Sequence, residues 1–122
     1  MPHRRTLRTF TPNRLGAALA LAALIGLFSA GGARAAEEFT IHIKDHVFDP
    51  VELHVPADTK VKLIIVNQDP TPEEFESYDL NREKIVSGNG TISVFIGPLD
   101  PGRYEYFGEF NMDTALGWIV AK

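Results

Sequence analysis

The stretch FTIHIKDHVFDPVELHVPADTKVKLIIVN, Phe39 to Asn67, decides the fold class. Phe39, Ile41 and Ile43 alternate with Thr40, His42 and Lys44, and Val51, Leu53 and Val55 alternate with Glu52 and His54. Successive side chains of a strand point to opposite faces, so this period predicts strands with one buried face. Val61 to Asn67 is more continuously apolar and is expected at the centre of a sheet. Pro56-Ala57-Asp58 breaks the run as a turn.

The same rhythm continues downstream through EEFESYDL, REKIV, TISVFIGPL, RYEYFG and WIVAK, the last ending at Lys122. Turn residues separate these runs at Asp69-Pro70, Ser87-Gly88-Asn89-Gly90 and Asp100-Pro101-Gly102. Seven or eight short strands at such spacing predict an all-β, antiparallel sandwich. Helix signals are nearly absent from this region, and it holds no repeat or low-complexity tract.

Upstream the composition changes. Residues 1–14 carry Arg4, Arg5, Arg8 and Arg14 and no acid, and an apolar run of small and aliphatic residues follows from Leu15 to Phe28. Ala33-Arg34-Ala35 then supplies a small-x-small site, so residues 1–35 read as a secretory signal peptide and residues 36–122 as one exported domain. The apolar run falls short of the roughly 20 residues that span a bilayer, so no membrane insertion is expected after processing. An uncleaved anchor is the alternative. Arg4-Arg5-Thr6-Leu7 loosely resembles a twin-arginine address, and a Sec signal is the other route. The expected location is the periplasm.

Cleavage changes the charge. Five of the 12 basic residues (Arg4, Arg5, Arg8, Arg14, Arg34) and none of the 16 acidic ones lie before Ala36, so the domain keeps seven basic residues and a formal charge of −9. Such a surface repels phosphate backbones, which excludes a nucleic-acid partner, and attracts cations. The chain has no Cys, so disulfides cannot reinforce this small domain.

Before the last strand-like run stands YFGEFNMDTALGW, Tyr106 to Trp118, an aromatic strand opening into a loop that another strand closes. FDPVELHVPADTKVKLIIVNQDPTPEEFE together with GPLDPGRYEYFGEF resembles the cupredoxins in order and spacing, from Phe39 to Lys122. The resemblance implies a Greek-key β-sandwich. At the copper positions it departs from the pattern: Glu73 stands in place of the first His, Gly108 in place of the Cys and Asn111 in place of the second His. The axial Met position falls near Thr114 or Ala115. A blue-copper centre needs a thiolate and two imidazoles, so none is expected.

Glu73-Glu74-Phe75-Glu76-Ser77, Arg82-Glu83-Lys84 and Gly108-Glu109-Phe110 are similar to the motifs of EfeO-type cupredoxin-like domains, periplasmic components of bacterial iron uptake. That resemblance implies iron (Fe²⁺/Fe³⁺) as the ion, assistance to its oxidation as the activity, and an inner-membrane iron permease or another periplasmic uptake component as partner. Hard carboxylate oxygens suit such an ion, and Mn²⁺ fits the same donors. Cu²⁺ is expected only adventitiously, through His46 or exposed imidazoles.

The candidate metal ligands are Asp45, His46, Glu74, Glu76, Glu109 and Asp113, with Glu83, Asn111 and Met112 behind them. Glu74 and Glu76 share one face of a strand, opposite Glu73, Phe75 and Ser77, and two acids so placed repel unless a cation or base lies between. An acidic solvated edge is the structural alternative. His46 would supply the imidazole, its alternative being a turn residue, and Glu83 is equally readable as a cross-strand ion pair with Arg82 and Lys84. His42 and His54 fall on polar strand faces, and Tyr104, Tyr106, Phe75 and Trp118 read as core. No nucleophile elbow, zinc-protease helix or phosphate-binding glycine loop is present, so enzyme classes other than ferroxidase drop out. A divalent-metal carrier without redox chemistry and a partner-binding sandwich with a decayed metal site are the alternatives.

Overall fold

A computed structural model describes residues 34–122. The expected signal peptide, but for its last two residues, lies outside them. Strands β1 (Glu37–Lys44), β2 (Val47–Asp49), β3 (Glu52–Val55), β4 (Val61–Asn67), β5 (Glu73–Ser77), β6 (Arg82–Val86), β7 (Thr91–Ile96), β8 (Gly102–Gly108) and β9 (Leu116–Ala121) follow in order, with a 3₁₀ turn at Glu109–Asn111. They form a four-stranded sheet, β2-β1-β4-β7, and a five-stranded sheet, β3-β9-β8-β5-β6.

The sandwich is thus all-β as expected, with VKLIIVN as an interior strand. Two features differ from the sequence reading. Nine strands are present among the described residues because the three residues of β2 form a hairpin with β1 before the chain crosses to the other sheet. The sheets are also mixed, since β1 runs parallel to β4 and β3 parallel to β9. Period-two patterning says which face is buried and is blind to which neighbour a strand pairs with.

Inward side chains of both sheets meet in one core that includes Ile41, Ile43, Leu63, Ile65 and Ile119. At its centre Phe48 packs edge-on against Tyr106 at 4.9 Å, and Tyr106 lies 5.2 Å from Phe75. Gly117 makes this possible, because a Cβ there would overlap the Tyr106 ring. The Tyr106 hydroxyl donates to the Pro50 carbonyl, and burial pushes its pKa upward. Trp118 is not core. It lies half-buried on the outer face of β9, beneath the Arg103 guanidinium at 4.7 Å, because Gly117 and Ile119 take the inward positions.

Candidate metal centre

Alternation along β5 sends Phe75 into the core with Glu73 and Ser77, and turns Glu74 and Glu76 to the outer face. Antiparallel pairing sets Glu83 of β6 directly opposite Glu76. On the other side β5 pairs with β8, Phe75 against Gly108 and Glu76 against Phe107. One step further along that register brings Glu109, the first residue of the 3₁₀ turn, beside Glu74. Three adjacent chain segments therefore direct Glu74, Glu76, Glu83 and Glu109 to one patch of sheet surface. Carboxylate oxygens of Glu74, Glu83 and Glu109 lie within 4.8 Å of one another.

Among the described residues no base neutralises them. The ion pairs among those residues are Lys62–Glu38 and Arg103–Glu52, with His46 near Asp69 and His54 near Glu52, and none touches this patch. The alternative reading of Glu83, an ion-pair network with Arg82 and Lys84, does not form, because neighbours on a strand point to opposite faces. Arg82 instead donates to the carbonyls of Phe95, Leu80 and Asn81, and Lys84 to that of Ser93, fastening β6 to β7 of the other sheet.

Crowded acids respond by holding protons. A hydrogen bond shared with Glu83, burial and the Glu109 charge raise Glu74 to a pKa of about 7. Glu76 is likewise raised to about 7, first by a hydrogen bond shared with Glu109, then by burial and by the charges of Glu109 and Glu83. Glu74 is only 8 % exposed, and the buried Oε2 of Glu76 has no hydrogen-bond partner among the described residues. A buried carboxylate oxygen without a donor is costly unless a proton or cation approaches it. Tyr78, 76 % exposed and stacked edge-on against Phe107 at 5.3 Å, borders the patch, and the charge of Glu76 above all raises its pKa. A hollow lined by Glu76, Ser77, Tyr78, Asn81, Arg82 and Glu83 leaves the carboxylates open to solvent on that side.

The end of the sandwich where the cupredoxin resemblance places copper is built differently. Glu73, 2 % exposed, fills it. Its Oε1 accepts from the amides of Glu74 and Phe110, each at 2.9 Å, and its Oε2 accepts from Asn111 Nδ2 at 2.7 Å. A Cβ at Gly108 would stand 2.6 Å from Glu73 Cδ and 2.7 Å from Ala115 Cβ. The residues there supply no thiolate and no room for one, so they do not fit a blue-copper centre. Asn111 is therefore engaged inward by Glu73 and is not presented as a ligand.

Asp45 and His46 are not brought to the carboxylates either. Both have left-handed φ, 52° and 58°, as the two central residues of the β1–β2 hairpin turn. Their amides donate to the Asp69 carboxylate at 2.8 and 2.9 Å, which holds the Asp69 pKa below its ordinary value, and the His46 carbonyl accepts from Thr114 Oγ1. Asp113 and Met112 are exposed beyond the 3₁₀ turn, and Asp113 is not among the converging carboxylates. His54 is exposed and paired with Glu52, whereas His42 is half-buried with an unpartnered Nδ1, against expectation. Glu83, placed behind the other candidates in the sequence, lies among the converging carboxylates, and its alternation against Arg82 and Lys84 is the signal that points there.

The sequence matches the cupredoxin-like domain family over residues 17–121. The chain belongs to that family. An uncharacterized protein of Rickettsia prowazekii, RP394, is 53 % identical over 85 residues, covering 70 % of this chain and 68 % of the relative. Auracyanin A, a blue copper protein of Chloroflexus aurantiacus, superposes with a TM-score of 0.62 at 15 % identity, covering 72 % of this chain and all of its own. Amicyanin from Paracoccus versutus gives 0.57 at 13 % identity over 74 % of this chain and 86 % of its own. The metal-binding domain of the Streptococcus pneumoniae Cu(I)-exporting ATPase CopA gives 0.59 at 12 % identity, covering 70 % of this chain and 84 % of its own. Such distant likenesses establish the fold alone. Among the described residues no helix is long and apolar enough to cross a membrane.

Proposed function

We propose that this cupredoxin-like protein is a periplasmic iron-binding component of a bacterial iron-uptake system. Glu74, Glu76, Glu83 and Glu109 hold the ion, and the site assists oxidation of ferrous iron by dioxygen before an inner-membrane permease takes the ion up. Each Fe²⁺ gives up one electron, and the oxygen is reduced to water with protons from solvent. The observation that carries the reading is the convergence of Glu74, Glu83 and Glu109 with Glu76 beside them, no base among the described residues neutralising them and one oxygen of Glu76 buried and unpartnered. Carboxylates suit hard cations, and their summed charge favours Fe³⁺ over Fe²⁺, the direction a ferroxidase needs. The signal-like N-terminus and the EEFES, REK and GEF motifs support export and the iron-uptake setting.

A non-redox carrier of divalent ions is the second reading, since the same donors accept Mn²⁺. Anaerobic calorimetry with Fe²⁺ and Mn²⁺, followed by oxygen-uptake measurements on adding Fe²⁺, separates the two. Binding of both ions with protein-dependent oxygen consumption is expected. Binding without oxygen consumption gives the carrier, and no binding of either ion sinks both.

A further inference from the structure

Of the four carboxylates, Glu109 alone stands outside a strand, at the start of a 3₁₀ turn whose entry at Gly108 has no side-chain cap. Strand pairing holds Glu74, Glu76 and Glu83 in register, whereas β8 has ended before Glu109. Backbone hydrogen bonds from Gly108 to Ala115 and from Ala115 to Asn111 close the loop on itself, and Glu73 is the side chain that ties it to β5. Its Oε1 takes both the amide of Glu74 and the amide of Phe110, the residue after Glu109. One buried oxygen thus grips the backbone on each side of the gap between Glu74 and Glu109. Asn111 Nδ2 holds the other carboxylate oxygen, and Gly108 leaves room for it.

We propose that Glu73, clamped by Asn111, is a positioning residue that sets the separation of Glu74 and Glu109 and hence the fit of the cation site. This rests on the carboxylate reading above. Outer partners of metal ligands commonly govern affinity without touching the ion. The role of Asn111 follows, as a neutral donor to a buried carboxylate that would otherwise be under-satisfied.

Asn111→Ala tests this without changing charge, and Thr114→Ala is the control, since it frees the far side of the same loop from His46. In calorimetry with Mn²⁺, Asn111→Ala is expected to lose about tenfold to a hundredfold in affinity with stoichiometry and circular dichroism unchanged, and Thr114→Ala to bind like the parent. A second readout needs no ion. The chain has no Cys, so, with oxidised glutathione added as the oxidant, Glu74→Cys with Glu109→Cys reports proximity by its rate of disulfide formation, which depends on close Cβ approach. Adding Asn111→Ala to that pair is expected to slow it. Unchanged cross-linking and unchanged affinity overturn the inference. Slowed cross-linking in a protein whose parent binds no ion removes the metal reading and leaves the positioning intact.

Discussion

The Glu73 carboxylate occupies the space that a side chain at Gly108 would enter, with 2.6 Å between its Cδ and the position of a Cβ there. Three donors hold that carboxylate, so it cannot swing aside cheaply. Gly108→Ala is therefore expected to destabilise the domain by about 1–3 kcal/mol, the usual cost of overpacking. Urea unfolding measures it. A midpoint equal to the parent's would show that the loop yields freely.

Neutralising Glu83 should separate stability from binding. Glu83→Gln removes one charge from a cluster that no base among the described residues offsets, so the ion-free domain should melt higher. Affinity for Mn²⁺ should fall by at least the ~10–100-fold that losing an outer partner costs a metal site. Glu74→Gln with Glu76→Gln should abolish binding altogether. Thermal melts and calorimetry on the same samples check both effects, and a double variant that binds like the parent places the ion elsewhere.

The ion-free domain should lose stability as pH rises from about 5 to 8. Glu74 and Glu76 sit near 7 in the folded state against 4.5 in the unfolded one. The native state thus binds more protons in that window, and stability falls as pH climbs until both have ionised. Asp69 acts oppositely. Its folded pKa is depressed from 3.8, so its contribution is present above that value and is lost as pH falls through the lower folded pKa. Saturating Mn²⁺ should reverse the neutral-pH trend, because deprotonated carboxylates bind and bound cation stabilises by mass action, about 2.7 kcal/mol at a hundred times Kd. Chemical denaturation at several pH values, with and without Mn²⁺, reads both slopes. Parallel slopes would mean that no cation enters the cluster.

Alternation makes the faces of β5 legible in the sequence, including the shared surface of Glu74 and Glu76. It does not reveal β2, whose VFD is too short to show a period, or the parallel pairings, which depend on where the chain crosses between sheets. At the site, family resemblance draws attention to Asn111 as a lost imidazole. The physical reason for Asn111 lies in Glu73, 38 positions away in the chain, a partnership that no local pattern encodes. Glu83 is obscured by its basic neighbours, which serve the opposite face.

His46 is the residue on which sequence and structure part most clearly. The sequence offers it as the imidazole ligand, and the structure holds it at φ 58° in a two-residue hairpin turn with its amide on Asp69. Glycine populates that conformation without steric cost. His46→Gly also gives up the half-exposed contact between Nδ1 and Asp69 Oδ2 at 3.6 Å, worth about 0–1 kcal/mol. Relief of turn strain and loss of that contact should nearly cancel, leaving stability within ~1 kcal/mol of the parent. Mn²⁺ affinity should be unchanged, since the carboxylate oxygens that converge come from β5, β6 and the start of the 3₁₀ turn. Calorimetry on His46→Gly decides the matter. A marked loss of affinity would make His46 a ligand and would require the β1–β2 turn to move toward Glu109 when the ion binds.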